Sequence, residues 1–254
     1  MYETCPKCGY RRKPADTVDP GTCPGCGIIF VKWMKQKFAP PPVASDSNPA
    51  AEHPGLIATL IETVLYVEPK IEPVIFYGRL ILYIGIVYWG WQFIWMDFTL
   101  NPPEIGNSFM HRINLVFHEA GHVLFIPFGW FMTILGGSLG QLLMPAIVIL
   151  TFIIKSHNTF GASIGLWWLG QSCMDLAPYI NDALVQQLVL LGGRTGADAP
   201  GNHDWNNILA ELNRLEKSHE YATVAQYSGI IIMVIAFTWG GYVLYQQYLN
   251  MKNN

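Results

Sequence analysis

The sequence predicts an all-α polytopic membrane protein with about five transmembrane helices and a small zinc ribbon at its N-terminus. Hydrophobic residues make up 51% of the 254 residues and charged residues only 13%, whereas soluble domains carry roughly 25% charged residues. Five apolar stretches are long enough to cross about 30 Å of hydrocarbon. Four cysteines near the N-terminus form two closely spaced pairs.

Residues 1–34 form the first predicted domain, which contains four of the five cysteines. They stand in two CxxC pairs separated by fourteen residues, Cys5 with Cys8 and Cys23 with Cys26. This is the spacing of a structural site in which four thiolates hold one Zn²⁺. Two disulfides or a redox-active pair are the alternative. Because zinc-binding thiols require a reducing compartment, the ribbon indicates a cytoplasmic N-terminus.

Residues 35–55 are rich in proline, alanine and serine, which is the composition of a flexible linker. The membrane domain, residues 56–254, begins with an apolar segment from Leu56 to Val67 that is too short to span. The five predicted spans follow, and they run from Val74 to Phe98, Phe109 to Phe128, Leu135 to Ile154, Phe160 to Ile180 and Tyr227 to Leu249.

Lysine and arginine residues predict the orientation of the five spans. With the N-terminus inside, eleven of them fall on the cytoplasmic side, against Arg112, Lys155 and Lys252 on the far side. This asymmetry agrees with the positive-inside rule and predicts a cytoplasmic N-terminus. We expect an integral membrane protein, in a bacterial inner membrane. The net charge of −3 gives no indication of nucleic-acid binding.

The second span contains an H-E-x-x-H motif, formed by His118, Glu119 and His122 on a helix predicted over 109–128. Residues four apart share one face of a helix, so both imidazoles can bind one zinc ion. Glu119 then stands where it can take a proton from a water molecule. A zinc site in a membrane-spanning helix indicates proteolysis in or at the bilayer.

Polar side chains form a stripe on the second span and another on the predicted helix 160–184. The stripes consist of His111, Asn114, His118 and His122, and of Gln171, Asp175 and Asp182 in line with Pro178. An ionisable group at membrane depth costs at least ~2.5–3.5 kcal/mol unless it is paired or hydrated. We therefore expect the two stripes to face each other around a metal or a water-filled cavity. Simple hydrogen bonding across the bundle is the alternative.

A catalytic zinc requires a third protein ligand. Counting residues from the start of each span places Asp175 at the depth of His122, and Asp182 closer to the cytoplasmic edge. His203 and Asp204 follow in the predicted cytoplasmic loop and amphipathic helix over 185–226, before the last span 227–249. They could fold back as a ligand, a substrate clamp or a partner of a ligand. Alternatively, Asp204 simply caps the amphipathic helix.

The H-E-x-x-H motif in a membrane span resembles that of the site-2 protease class of intramembrane metallopeptidases. In that class a later span carries an Asn-x-x-Pro…Leu-Asp-Gly motif, whose aspartate is the third zinc ligand. The corresponding segment here is 175–183, which implies Asp182 as the ligand. It departs from the motif because Asp175 replaces the asparagine and Asn181-Asp182-Ala183 replaces Leu-Asp-Gly. The resemblance covers about residues 109–184.

Two functions remain open from the sequence. The first is a membrane-embedded zinc metallopeptidase that holds one catalytic and one structural zinc and hydrolyses a membrane protein substrate in or near the lipid bilayer. The second is a non-catalytic accessory or scaffold subunit with structural metal sites, whose ribbon docks a partner subunit.

Overall fold

The computed structural model describes residues 3–37 and 55–253. The chain divides into two compact units, Met1–His53 and Pro54–Asn254, and each is described by itself. Both are helical, and among the described residues strand pairing is confined to isolated bridges. Most of the predicted linker 35–55 lies outside the described residues.

The N-terminal unit contains two short loops, one around each cysteine pair. Isolated antiparallel bridges close them, between Thr4 and Arg11 in the first loop and between Thr22 and Ile29 in the second. Helix α1 (Phe30–Lys37) follows the second loop. A small core of buried Cys5, Cys23 and Phe30, packed against Tyr10 and Ile28, holds the unit together.

The second unit consists of seven α-helices among its described residues. They are α2 (Leu56–Val64), α3 (Pro73–Trp95), α4 (Phe109–Phe125), α5 (Trp130–Leu150), α6 (Thr159–Asn181), α7 (Asp204–Glu211) and α8 (Ser218–Asn253). A π-helical turn, Thr151–Lys155, continues α5.

Three helices of the described chain are long and apolar enough to cross a membrane: Pro73–Trp95, Trp130–Lys155 and Leu215–Asn253. They correspond to the first, third and fifth predicted spans. Helix α4, which carries the H-E-x-x-H motif, has only 17 residues. Helix α6 is longer, but its interior includes buried Gln171, Ser172 and Asp175. The structure therefore supports a membrane protein with three candidate spans rather than the five expected.

Helices α6 and α8 pack closely through small residues. A Cβ atom added to Gly170 would lie 2.9 Å from the carbonyl oxygen of Gly229, and one added to Gly240 would lie 2.9 Å from Ser163 Oγ. The later residue of α6 thus meets the earlier residue of α8, so the two helices are antiparallel.

Helix α3 also packs antiparallel to α8. The rings of Phe76 and Tyr248 lie 6.2 Å apart near one end. Further along α3, the Tyr83 hydroxyl donates a hydrogen bond of 2.8 Å to the Phe237 carbonyl. Since α3 and α6 both run opposite to α8, they run in the same direction.

Helices α4 and α5 form a close antiparallel pair. A Cβ atom on Gly136 would lie 2.8 Å from the Gly121 carbonyl oxygen, and one on Gly140 would lie 2.5 Å from the Phe117 carbonyl oxygen. Gly136 and Gly140 have the GxxxG spacing that is typical of such a close approach. Gly121, inside the H-E-x-x-H motif, is its partner on α4.

Helix α5 is antiparallel to α6 as well. Gly161 packs against the Phe152 ring, and Gly165 packs against Ile149. Gly161 and Gly165 form a second pair with the GxxxG spacing, which admits a neighbouring helix.

Helix α4 crosses α6 obliquely. Contacts between them run in antiparallel order, with His111 bonded to Asp175 and the Phe117 ring 5.7 Å from the Trp168 ring. Three straight helices cannot all be antiparallel to one another, and α4 and α6 are each antiparallel to α5. Counting depth from the start of each span assumes two upright helices, so it does not apply to α4.

Candidate metal centres

Helix α4 places the two motif histidines on one face. It begins where Ser108 Oγ accepts a hydrogen bond from the His111 N–H at 3.0 Å, as expected of an N-cap. The rings of His118 and His122 lie 4.9 Å apart. One ligand atom each from His118, Glu119 and His122 lies within 4.8 Å of the others, close enough to surround one metal ion.

Asp204 lies directly beside this pair. Its Oδ2 atom is 2.9 Å from His118 Nε2 and 3.2 Å from His122 Nε2. Zinc binds imidazole and carboxylate atoms at about 2.0–2.2 Å, which in a tetrahedral site leaves about 3.3 Å between ligand atoms. The three side chains therefore fit one zinc ion.

The hydrogen bond on the far side of His122 supports this reading. Its Nδ1 atom lies 2.8 Å from the Thr133 carbonyl oxygen, which can only accept, so Nδ1 carries the proton. In the neutral ring, Nε2 then has a free lone pair that faces the Asp204 carboxylate. A lone pair and a carboxylate repel unless a cation or a proton lies between them. Metal-binding histidines are commonly oriented by such a carbonyl.

Asp204 is a carboxylate in this site. Burial raises its pKa, but the hydrogen bonds with His118 and His122, which form when a proton rather than a metal ion lies between the partners, outweigh the burial and lower the pKa to about 2. The side chain therefore carries the negative charge that a zinc ligand requires.

Neighbouring groups hold Asp204 in position at the start of α7. Its backbone N–H donates a hydrogen bond of 2.8 Å to the Tyr179 hydroxyl. The helix cap is His203, whose Nδ1 accepts the Asn206 N–H at 3.2 Å. A cap formed by Asp204 was one of the two alternatives from the sequence; since His203 is the cap, the Asp204 side chain is free to reach the histidines. Trp205 Nε1 donates to Ser138 Oγ at 3.1 Å and ties α7 to α5.

The structure does not bring Asp182 to the motif histidines. Its carboxylate accepts the N–H groups of Gln187 and Leu188, both at 2.9 Å. It also lies 3.3 Å from Nε2 of the fully buried His203. Asp182 thus shapes the loop that leads to α7.

Asp175 is likewise occupied elsewhere. It bonds to His111 Nδ1 at 2.9 Å and accepts from Asn114 Nδ2 at 3.1 Å and Gln141 Nε2 at 3.0 Å. Asn114 also donates to Gln171 Oε1 at 2.8 Å. His111 and Asn114 on α4 therefore face Gln171 and Asp175 on α6, as expected. Direct hydrogen bonds join these side chains, which is the alternative to a metal or a water-filled cavity between them.

Gly137 on α5 is a feature of the site that the sequence did not reveal. A Cβ atom there would lie 2.5 Å from His118 Nε2 and 2.6 Å from His122 Nε2. The missing side chain leaves space on the α5 side of the two ligand atoms. The only signal in the sequence was the Gly136-Gly137 doublet.

A cavity of about 810 Å³ opens onto the site and is lined by His118, Glu119, His122 and Asp204. Further walls come from residues 101–107 before α4 and from the loop 188–202 before α7. Its volume is in the range of ligand pockets, and Glu119 is part of its lining.

The four cysteines of the N-terminal unit form a separate candidate centre. Their sulfur atoms all lie within 4.8 Å of one another, and none of the four is in a disulfide. Cys5 and Cys26 Sγ are 3.8 Å apart, and Cys8 and Cys23 Sγ are 3.7 Å apart. A tetrahedral zinc with sulfur ligands at about 2.3 Å requires about 3.8 Å between them, so the cluster fits a metal ion.

Comparison with known protein families, with curated proteins and with solved structures gives no match to this chain. The resemblance to site-2 proteases therefore rests on the H-E-x-x-H motif alone.

Proposed function

We propose that the protein is a membrane-embedded zinc metallopeptidase that hydrolyses peptide bonds in or near the bilayer. His118, His122 and Asp204 are its zinc ligands, and Glu119 is its general base. The observation that carries the proposal is the Asp204 oxygen 2.9 and 3.2 Å from the two Nε2 atoms. The zinc site is completed from α7, not from α6 as in the site-2 protease motif.

A zinc ion in this site would polarise the scissile carbonyl and lower the pKa of a water molecule to about 7. Glu119 lines the same cavity and belongs to the same cluster of ligand atoms. It accepts the proton of that water and returns it to the leaving amine. Asp204 and the Thr133 carbonyl keep both imidazoles aligned during the reaction.

The non-catalytic alternative is a scaffold subunit with structural zinc only. Structural zinc sites use four protein ligands, whereas catalytic sites use three and leave one position open. The pairing of three ligand side chains with a cavity of about 810 Å³ favours the enzyme. The cysteine cluster is the structural zinc site of the proposal, and a membrane protein is its substrate or partner.

Glu119→Gln tests the catalytic role in the purified full chain. Glutamine keeps the size of the side chain but cannot accept a proton, so cleavage of unstructured casein should fall by about 10²–10⁴-fold while zinc content stays unchanged. Glu62→Gln, on exposed α2, is the matched control and should cleave normally. Equal cleavage by Glu119→Gln and the wild type would refute the role of Glu119. Zinc binding without cleavage by the wild type would favour the scaffold.

A further inference from the structure

The cavity is formed at one end of the helix bundle. We infer that it opens on the non-cytoplasmic face of the membrane and takes an extended peptide segment from that side. The identity of the substrate as a peptide rests on the proposed function, whereas the direction in which the cavity opens does not.

One end of the bundle, here named the chain-end face, gathers residues 66–68, the start of α6 and the end of α8. Thr159 Oγ1 donates to the Tyr66 carbonyl at 2.6 Å. Gln247 Nε2 donates to Glu68 Oε2 at 2.7 Å. The chain therefore enters α3 and leaves α8 at this same face.

The opposite end, here named the cavity face, gathers the loops 96–108 and 182–217. The Phe98 ring, just after α3, stacks on the His219 ring at 5.8 Å. His219 Nδ1 lies 2.9 Å from Asn181 Oδ1 at the end of α6. Both loops contribute walls to the metal-site cavity.

These contacts leave no crossing for α4. The chain reaches the cavity face at the end of α3, and the end of α6 and the start of α8 lie there too. Helix α5 runs opposite to α6, so it begins on the cavity side as well. With 17 residues, α4 is about 26 Å long, less than the ~30 Å of a bilayer core. The crossing helices are then the three candidate spans, α3, α5 and α8, together with α6. Helix α6 is not a candidate span by its apolar character, but it begins at the chain-end face and ends at the cavity face.

Charged residues in the connections do not decide the orientation. The chain-end face has Lys70, Lys155 and Lys252, and the cavity face has Arg194, Arg214 and Lys217. The deciding feature is the cysteine cluster, whose thiols require a reducing compartment. Residues 38–54 include five prolines and no apolar run long enough to span, and none of the described residues 55–72 belongs to a candidate span. The chain-end face is therefore cytoplasmic and the cavity face is not.

The rim of the cavity indicates what kind of peptide enters. Residues 188–191 line it, and Val189 and Leu191 are 66% and 69% exposed. Exposed apolar side chains beside a water-accessible metal site suit an extended segment with apolar side chains at the membrane surface. Such a segment is expected just outside the span of a membrane protein.

Four single-cysteine additions test the direction of the cavity in intact spheroplasts. Leu100→Cys and Leu191→Cys mark the cavity face, and Lys70→Cys and Lys252→Cys mark the chain-end face; all four positions are exposed. A membrane-impermeant maleimide should label the first two in intact spheroplasts and the last two only after permeabilisation. The wild type, with its own five cysteines, gives the background.

Labelling of Leu100→Cys and Leu191→Cys from opposite sides would restore five crossings and overturn the inference. Labelling of Lys70→Cys and Lys252→Cys alone from outside would reverse the orientation and also overturn it. The assay requires no catalysis, so its failure is distinct from failure of the proposed peptidase function. Zinc content equal to the wild type shows that each variant has folded.

Discussion

Asp204 is 86 residues away from His118 along the chain. Its carboxylate nevertheless lies within 3.2 Å of the Nε2 atoms of both His118 and His122. Hydrogen bonds on the side away from the site orient two of these residues. The Thr133 carbonyl holds the His122 ring, and the Tyr179 hydroxyl accepts the backbone N–H of Asp204. Ligand geometry fixed in this way lowers the cost of ordering the side chains when a metal binds.

At the residue scale, Gly137→Ala should prevent zinc binding at the histidine site. The added methyl group would fall 2.5–2.6 Å from both Nε2 atoms, so the two ligand atoms would have to move out of the arrangement that fits one ion. Gly85→Ala on α3 is the matched control, since nothing lies within 4 Å of its Cβ position. Both changes gain about 1 kcal/mol of helix propensity, so only the site differs.

Zinc per chain, measured after dialysis against a weak chelator, provides the comparison. Gly85→Ala should match the wild type, and Gly137→Ala should retain only the zinc of the cysteine cluster. Full zinc content in Gly137→Ala would mean that the ion sits away from the α5 side of the histidines.

The sequence identified clear roles for those residues whose partners lie a few positions away along the chain. His118, Glu119 and His122 share a helix face, and the cysteine pairs repeat one turn, so adjacent positions are enough to predict both. Asp204 was only one of several candidates, because its place depends on how the loop 182–203 folds. Gly137 was missed because an absent side chain has no chemistry of its own.

At the scale of elements, the loop 182–203 determines where α7 begins. Asp182 closes its first turn by accepting two backbone N–H groups, and the same carboxylate lies beside His203, the cap of α7. Tyr179 on α6 packs on His203, with ring centroids 4.4 Å apart. The position of Asp204 is therefore a property of α6, the loop and α7 together.

Asp182→Asn should weaken zinc binding without abolishing it. Asparagine offers one acceptor where the carboxylate offers two, so one of the N–H groups of Gln187 and Leu188 loses its partner. Changes behind a metal ligand typically cost ~10–100-fold in affinity. Competition with a fluorescent zinc chelator measures this loss, and Asp198→Asn, exposed in the same loop, is the control. Unchanged affinity in Asp182→Asn would show that the loop does not position Asp204.

All five apolar stretches became helices, because length and hydrophobicity suffice to predict them. Their directions were not predictable in the same way. The rule that successive spans alternate assumes that every apolar stretch crosses, and α4 is too short and too oblique. The glycines at 121, 136 and 140 determine how closely α4 packs against α5. A GxxxG spacing predicts such a close helix pair, but it does not show whether either helix crosses the membrane.

On the scale of the whole molecule, the chain carries two candidate metal centres in two separate units. The cysteine cluster offers four protein ligands and has a small core of its own. The histidine site offers three candidate ligands and opens into a cavity. This division matches one structural and one catalytic zinc, and it makes the two centres separable by substitution.

Cys5→Ser combined with Cys26→Ser should remove only the first centre. Serine hydroxyls do not replace thiolates as zinc ligands, so zinc content should fall from about two to about one per chain. Cys173→Ser, outside the cluster, is the control and should keep both ions. Loss of both ions in the double variant would show that the centres depend on each other.

The central claim, that Asp204 completes the histidine site, is tested most directly by zinc content in the Cys5→Ser/Cys26→Ser background. In that background the chain should bind about one zinc, Asp204→Ala should bind almost none, and Asp175→Asn should bind as much as the parent. Retention of zinc in Asp204→Ala together with its loss in Asp175→Asn would contradict this claim. The third zinc ligand would then be Asp175 on α6.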